Sequence, residues 1–256
     1  MKQKVEPVVH SIAEVCSSWP GVQAVSISGH AEGDTLDPYF VLAFDVFYSA
    51  SLPSEEERGS AFPGSGAFET GRVKTKDRFL LDDLPVRIEY KPVAEIDASC
   101  DFGHGGDRLV LAQGTYQFHR IAGGRHLYDR TGWLAGVSDR LADFPDQLWK
   151  DLRSLHEARV EHCVADLGAA TRKSDAFFFL ESATAFVRNA ALALLAANRT
   201  FDPGPRAIDT RLKSLPKLPG DFQGRWESFL EFDSGLSDER RFKIASLIAK
   251  SLMSLR

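Results

Sequence analysis

Cysteine is scarce in this chain: three among 256 residues, Cys16, Cys100 and Cys163, far apart and with no CxxC pair. That scarcity excludes a disulfide framework and a cysteine-rich zinc site, and it suits a reducing cytoplasm. The histidines show neither HExxH nor any zinc-like spacing; His156 and His162, six apart on a predicted helix, do not share a face. No GxSxG, no P-loop and no complete GxGxxG occurs, so no nucleophile elbow or ready-made phosphate loop announces itself. Excess positive charge is missing too. A net charge of −5 argues against a general nucleic-acid binder, which needs a phosphate-neutralising surface. Long apolar runs are equally rare. The most apolar stretch, Ala176 to Ala197, is interrupted by Glu181, Arg188 and Asn189 and reads as a buried helix, not a membrane span. The N-terminal MKQKVEPVVHSIAEVC lacks the apolar core of a signal peptide. The expectation is a cytoplasmic protein with no membrane partner.

What is present changes character along the chain. Val5, Val8, Val9, Ile12 and Cys16 recur at helical spacing, with Pro7 suited to a first turn, and Trp19-Pro20-Gly21 stops that helix. Val22 to Ser28 alternates toward a strand ending at Gly29. After the loop GHAEGDTLDP comes FVLAFDVFY, a strand apolar on both faces and therefore central in its sheet. Residues 51 to 67 are rich in Ser, Gly, Pro and Glu and read as a loop, and Phe68 to Phe79 as a hairpin-like extended stretch. In LPVRIEYK, Val86, Ile88 and Tyr90 take one face of a third strand while Arg87, Glu89 and Lys91 take the other. After about residue 105 the period is helical. Pro145 opens a helix through Leu148, Leu152, Leu155, Cys163 and Leu167; Ser174 is the candidate cap of the next, and Ser237 that of the last. The expected architecture is α+β: a small mixed-sheet domain over residues 1–104 and an all-helical bundle over 105–256.

Asp45 stands out as the only charge in FVLAFDVFY, because a charge in a buried strand is costly unless it is paired or holds a metal. It is either a site residue or an aspartate bonded to backbone N–H groups of a neighbouring loop. Glu89 is the second candidate, with a plain surface ion pair to Arg or Lys as the alternative. An adjacent strand would bring it beside Asp45, and the two would resemble a split carboxylate cluster for Mg²⁺. In the loop Gly29-His30-Ala31-Glu32-Gly33-Asp34, glycines would let the backbone approach a phosphate; a plain turn is the other reading. Arg72, Lys74, Lys76 and Arg78 alternate and would share one side of an extended strand, as a triphosphate-attracting strip or as a solvated edge. Glu181 and Arg188, seven apart on one helix, read as an ion pair or as acceptor-binding groups.

Taken in order, the helix, the strand VQAVSISG, the loop GHAEGD, the acidic strand FVLAFDVFY and the later RIEY resemble the nucleotidyltransferase superfamily that includes polymerase β and the antibiotic nucleotidyltransferases. RHLYDRTGWL and LAANRTFDPGPRAI are similar to segments of a bacterial branch with a helical C-terminal substrate domain. The resemblance implies two Mg²⁺ ions held by Asp45 and Glu89, aligning a nucleoside triphosphate for attack by a hydroxyl of a small acceptor, with Gly29, His30, Gly33 and Asp34 around the phosphates. The family's Asp-x-Asp pair is incomplete here: Asp45 takes its second place and Ala43 its first. His30 stands where the family has Ser. Asp34 or Asp37 would have to supply the missing metal ligand. The resemblance therefore implies either transfer of a nucleoside monophosphate or a non-catalytic descendant that binds a nucleotide or a protein partner. Neither the base, the acceptor nor the oligomeric state is written in the sequence.

Overall fold

The computed structural model describes residues 2–28, 40–231 and 235–255. Contacts divide the chain into two compact units, one of Met1–Val110 with Gln117–Asp143, the other of Leu111–Tyr116 with Phe144–Arg256.

The first unit runs α1 (Lys2–Ser18), β1 (Val22–Ile27), β2 (Leu42–Tyr48), α2 (Glu55–Ser60), β3 (Gly66–Thr70), β4 (Lys76–Leu81), β5 (Leu84–Pro92) and α3 (Val93–Ser99). It continues with most of α4 (Gly106–Gln113) and α5 (Tyr116–Gly123), then β6 (Arg125–Asp129) and α6 (Trp133–Ala142). Six strands form one sheet in the order β3-β4-β5-β2-β1-β6. Among the described residues only β2 and β5 pair parallel; the other neighbours are antiparallel. β2 sits between β5 and β1 and is buried on both faces, as an all-apolar strand must be. One face packs against α1: Val8, Ile12 and Cys16 join Phe44, Val46, Ile88 and Tyr90 in a single core. Pro7 lies inside α1, beyond its first turn, at the loss of one backbone bond. Fully burying a residue such as Phe44 contributes roughly 1.5–3 kcal/mol.

A second buried aspartate holds that α1 face at the sheet's far side. Asp77 of β4 accepts from Arg58 Nε (2.7 Å) and Nη2 (3.1 Å), Thr70 Oγ1 (2.8 Å) and Tyr90 OH (2.7 Å). Every carboxylate oxygen is matched, so the charge is tolerated in the core.

The helical period predicts an all-helical stretch from residue 105, but β6 interrupts it and extends the sheet beside β1. The first unit accordingly reaches Asp143. Five residues on a sheet edge, with an exposure pattern lacking clean alternation, carry too little period-2 signal to stand out among helices. Arg72 and Lys74 are not on a strand with Lys76 and Arg78: Lys74 has φ 55° in the turn before β4.

The second unit is built on α7 (Asp146–Lys173) and α8 (Ala176–Ala197), followed by α9 (Ile208–Lys213), α10 (Phe222–Leu230) and α11 (Asp238–Met253). Phe186 and Ala190 of α8 pack with Val160, Trp226 and Ile248 in its core. By length and hydropathy α8 is the one described helix that could cross a membrane. Ser237 caps α11, accepting from Arg240 N. Ser174 does not cap α8. It ends α7 in the left-handed region at φ 52°, and the next residue, Asp175, accepts from Phe178 N instead. Nor do Glu181 and Arg188 pair: Glu181 is exposed and Arg188 binds Asp202.

Candidate functional site

The parallel pairing of β2 and β5 sets Asp45 opposite Glu89 and Ala43 opposite Arg87. Registered partners on neighbouring strands point to one face, so the two acids share the face turned away from α1. The antiparallel neighbour β1 adds Ser26, opposite Asp45.

Asp45 is fully buried and both its oxygens are taken. Arg120 of α5 grips it bidentately, Nε to Oδ2 and Nη2 to Oδ1, each at 2.8 Å. Lys91 Nζ lies 2.8 Å from Oδ1. These are lengths of strong charge-assisted bonds. Burial alone would raise the carboxyl's pKa; Lys91 and Arg120 outweigh it and hold Asp45 below the usual carboxylate range. The described partners of Asp45 are thus two cations, not loop N–H groups.

Glu89 is also engaged. Its Oε1 lies 3.4 Å from Lys76 Nζ and 3.4 Å from Arg87 Nε. The Arg87 contact is attraction without alignment, since Arg87 Nε is buried with no hydrogen-bond acceptor. Ser26 Oγ, on the same face, is likewise buried without a partner. Around two carboxylates therefore stand four cations, Lys76, Arg87, Lys91 and Arg120, with two unsatisfied donors, Arg87 Nε and Ser26 Oγ, beside them. An orphan buried donor costs about 1–3 kcal/mol unless a ligand or water satisfies it. The surplus suits an anion.

The same atoms test the Mg²⁺ that the resemblance implies. An octahedral Mg²⁺ needs free, hard oxygen donors. Asp45 has none free, Glu89 is hemmed by cations, and Ala43 is fully buried with no donor. No group of three or more His, Cys, Asp or Glu among the described residues could hold a metal. The described donor set does not fit Mg²⁺. Gly29, His30, Gly33, Asp34 and Asp37 lie outside the described residues.

Sequence reasoning found Asp45 and Glu89 and placed them on one face; it also put Lys91 on that face. It missed Arg120, which comes from a helix 75 residues downstream. The available signal was local: in α5 (YQFHRIAG), Arg120 is buried along with Phe118 and Ile121, and an arginine among core positions needs an acid. Ser26 carried no signal.

No family model matches the chain, and no curated protein does. Among solved structures it is similar to a nucleotidyltransferase-like protein from Exiguobacterium sibiricum 255-15. That likeness has a TM-score of 0.52 at 12% identity and covers 99% of this chain and 74% of the other. The fold is thereby nucleotidyltransferase-like, an α+β sheet domain joined to helices.

Proposed function

We propose that this nucleotidyltransferase-like fold binds the phosphates of a nucleotide through fixed cations, without metal-dependent nucleotidyl transfer. One observation carries the reading: Arg120 and Lys91 occupy both oxygens of Asp45, the positions a metal would need. In this fold divalent ions normally offset the charge of acids and phosphates together. Here arginine and lysine offset the acids, and the surplus positive charge, with the orphan donors Ser26 Oγ and Arg87 Nε, is matched to phosphate oxygens. Three unpaired, buried cysteines suit a cytoplasmic setting.

Transfer of a nucleoside monophosphate from a triphosphate to a small hydroxylated acceptor is the second reading. It is favoured by the side-by-side register of Asp45 and Glu89 on one face of parallel strands. It requires Asp34 or Asp37 to complete a metal site.

A thermal-shift series separates the two. ATP or GTP should raise the melting temperature to the same extent with Mg²⁺ as with EDTA, since a ligand of the native state stabilises by mass action whatever its counter-ion. Pyrophosphate release should stay at background with hydroxylated acceptors. A shift that appears only with Mg²⁺, accompanied by turnover lost in Asp34→Asn or Asp37→Asn, would favour transfer instead. No shift with any nucleotide at millimolar levels would end both readings.

A further inference from the structure

Within the helical unit, the segment Gln113–Thr115, two helices and the loop after α8 enclose a cavity of about 140 Å³. Sites for drug-sized ligands run to roughly 300–1,000 Å³, so this one has room for only a few heavy atoms. Its apolar wall includes Leu152, Leu192 and Leu195, and its polar wall His156, Arg159 and Arg188.

The polar groups are set for different tasks. Asp202 also lines the cavity, but it is spent on structure. Its backbone N–H donates to Thr115 Oγ1 (2.9 Å), its Oδ1 accepts from Gly204 N (2.9 Å), and both its oxygens take the Arg188 guanidinium. Arg159, one turn along α7 from His156, is exposed and forms no ion pair among the described residues. Two guanidiniums against one carboxylate leave the lining one positive charge in excess, with neutral His156. His156 is itself buried, and its orientation is fixed. Asn189 Nδ2 donates to Ala185 O (2.8 Å), so Asn189 Oδ1 must accept, and the His156 Nδ1–H is its donor at 3.0 Å. In the neutral ring Nε2 is then a bare acceptor, with no partner among the described residues. Burial foremost, with Arg159 and Arg188 beside it and Asp202 and the Asn189 bond opposing, lowers the His156 pKa and keeps the ring neutral near pH 7.

We propose that this cavity binds a small hydroxylated monocarboxylate. The carboxylate answers the excess charge at Arg159 and the open edge of Arg188, the hydroxyl donates to His156 Nε2, and the carbon body lies against the leucines. A monoanion matches the single surplus charge. A hydroxyl donor is the group that a neutral, acceptor-only imidazole nitrogen selects.

The test follows the His156 ring proton by NMR in the full chain while sodium lactate, sodium propionate, sodium phosphate and sodium chloride are titrated separately. Lactate should give a saturable shift, and propionate a several-fold weaker one. Arg159→Ala should weaken lactate on the order of tenfold, about 1.4 kcal/mol, while Arg159→Lys retains part of the affinity. Because Arg159 is exposed and unpaired, both variants should melt as the wild type does. The proposal is overturned by an absence of saturation with lactate, by lactate binding that survives Arg159→Ala, or by tighter binding of phosphate. Equal binding of lactate and propionate overturns the part given to His156.

Discussion

At Asp45 the cost of burying a charge is met by the benefit of pairing it with two cations. Removing one partner of a buried ion pair leaves the other uncompensated, typically at about 3–5 kcal/mol. Asp45→Asn removes the buried carboxylate that faces Arg120, 3% exposed, and Lys91, so urea unfolding should show a loss approaching that size. Asp45→Asn combined with Arg120→Gln should recover part of it, the coupling being read from the double-mutant cycle. A metal ligand would behave differently, losing ion affinity while the fold gained from relief of repulsion. The pH dependence has a definite sign. Asp45 has a folded pKa depressed below the ordinary 3.8, so its contribution is complete above that value and fades as pH falls through the folded pKa. His156 acts in the same direction from a higher start, being held neutral in the fold: its contribution is complete above about 6.5 and fades below. Stability should therefore fall in two stages on acidification, and His156→Gln should remove the upper stage.

Among elements, those with a strong period were legible and those fixed by a single polar contact were not. The alternation in LPVRIEYK specified β5 and its two faces, because a strand with one side in the α1 core cannot slip by one residue without exposing Val86, Ile88 and Tyr90. The apolar FVLAFDVFY specified a central strand for the same reason of burial. From those two strands came half of the candidate site, the adjacent Asp45 and Glu89. The other half was only partly legible: α5 marks Arg120 as an arginine in need of an acid, but its pairing with Asp45 depends on α5 folding back onto the sheet face, a long-range event that no local period encodes. The cap of α8 failed on a smaller scale. Ser174 and Asp175 are both good capping types, and the choice between them depends on where α7 stops, not on propensity. Substitution should tell them apart. Asp175→Ala should cost about 1 kcal/mol in denaturant unfolding, while Ser174→Gly should be neutral or stabilising, because φ 52° suits glycine better than any residue with a Cβ.

Over the whole molecule, the two compact units are interleaved along the chain. Leu111–Tyr116 belongs with the helical unit although the sheet unit resumes at Gln117 and continues to Asp143. Thr115 in that short segment accepts the Asp202 N–H, and Gly204 lies so close to Tyr116 that an added Cβ would sit 2.6 Å from its ring. A polypeptide of residues 144–256 alone should consequently melt below the same unit in the full chain, and co-expression with residues 1–143 should restore its melting temperature. Equal stability of the isolated piece would show that the six-residue segment contributes nothing. The same interleaving has a bearing on synthesis. A ribosome releases Leu111–Tyr116 before any of the helices that will enclose it exist, and the sheet unit must then close with residues 117–143 while that strap waits unattached. Vectorial folding, in which each domain finishes before the next begins, serves the first unit of this chain but not the second, which has to capture a piece already left behind on the nascent chain.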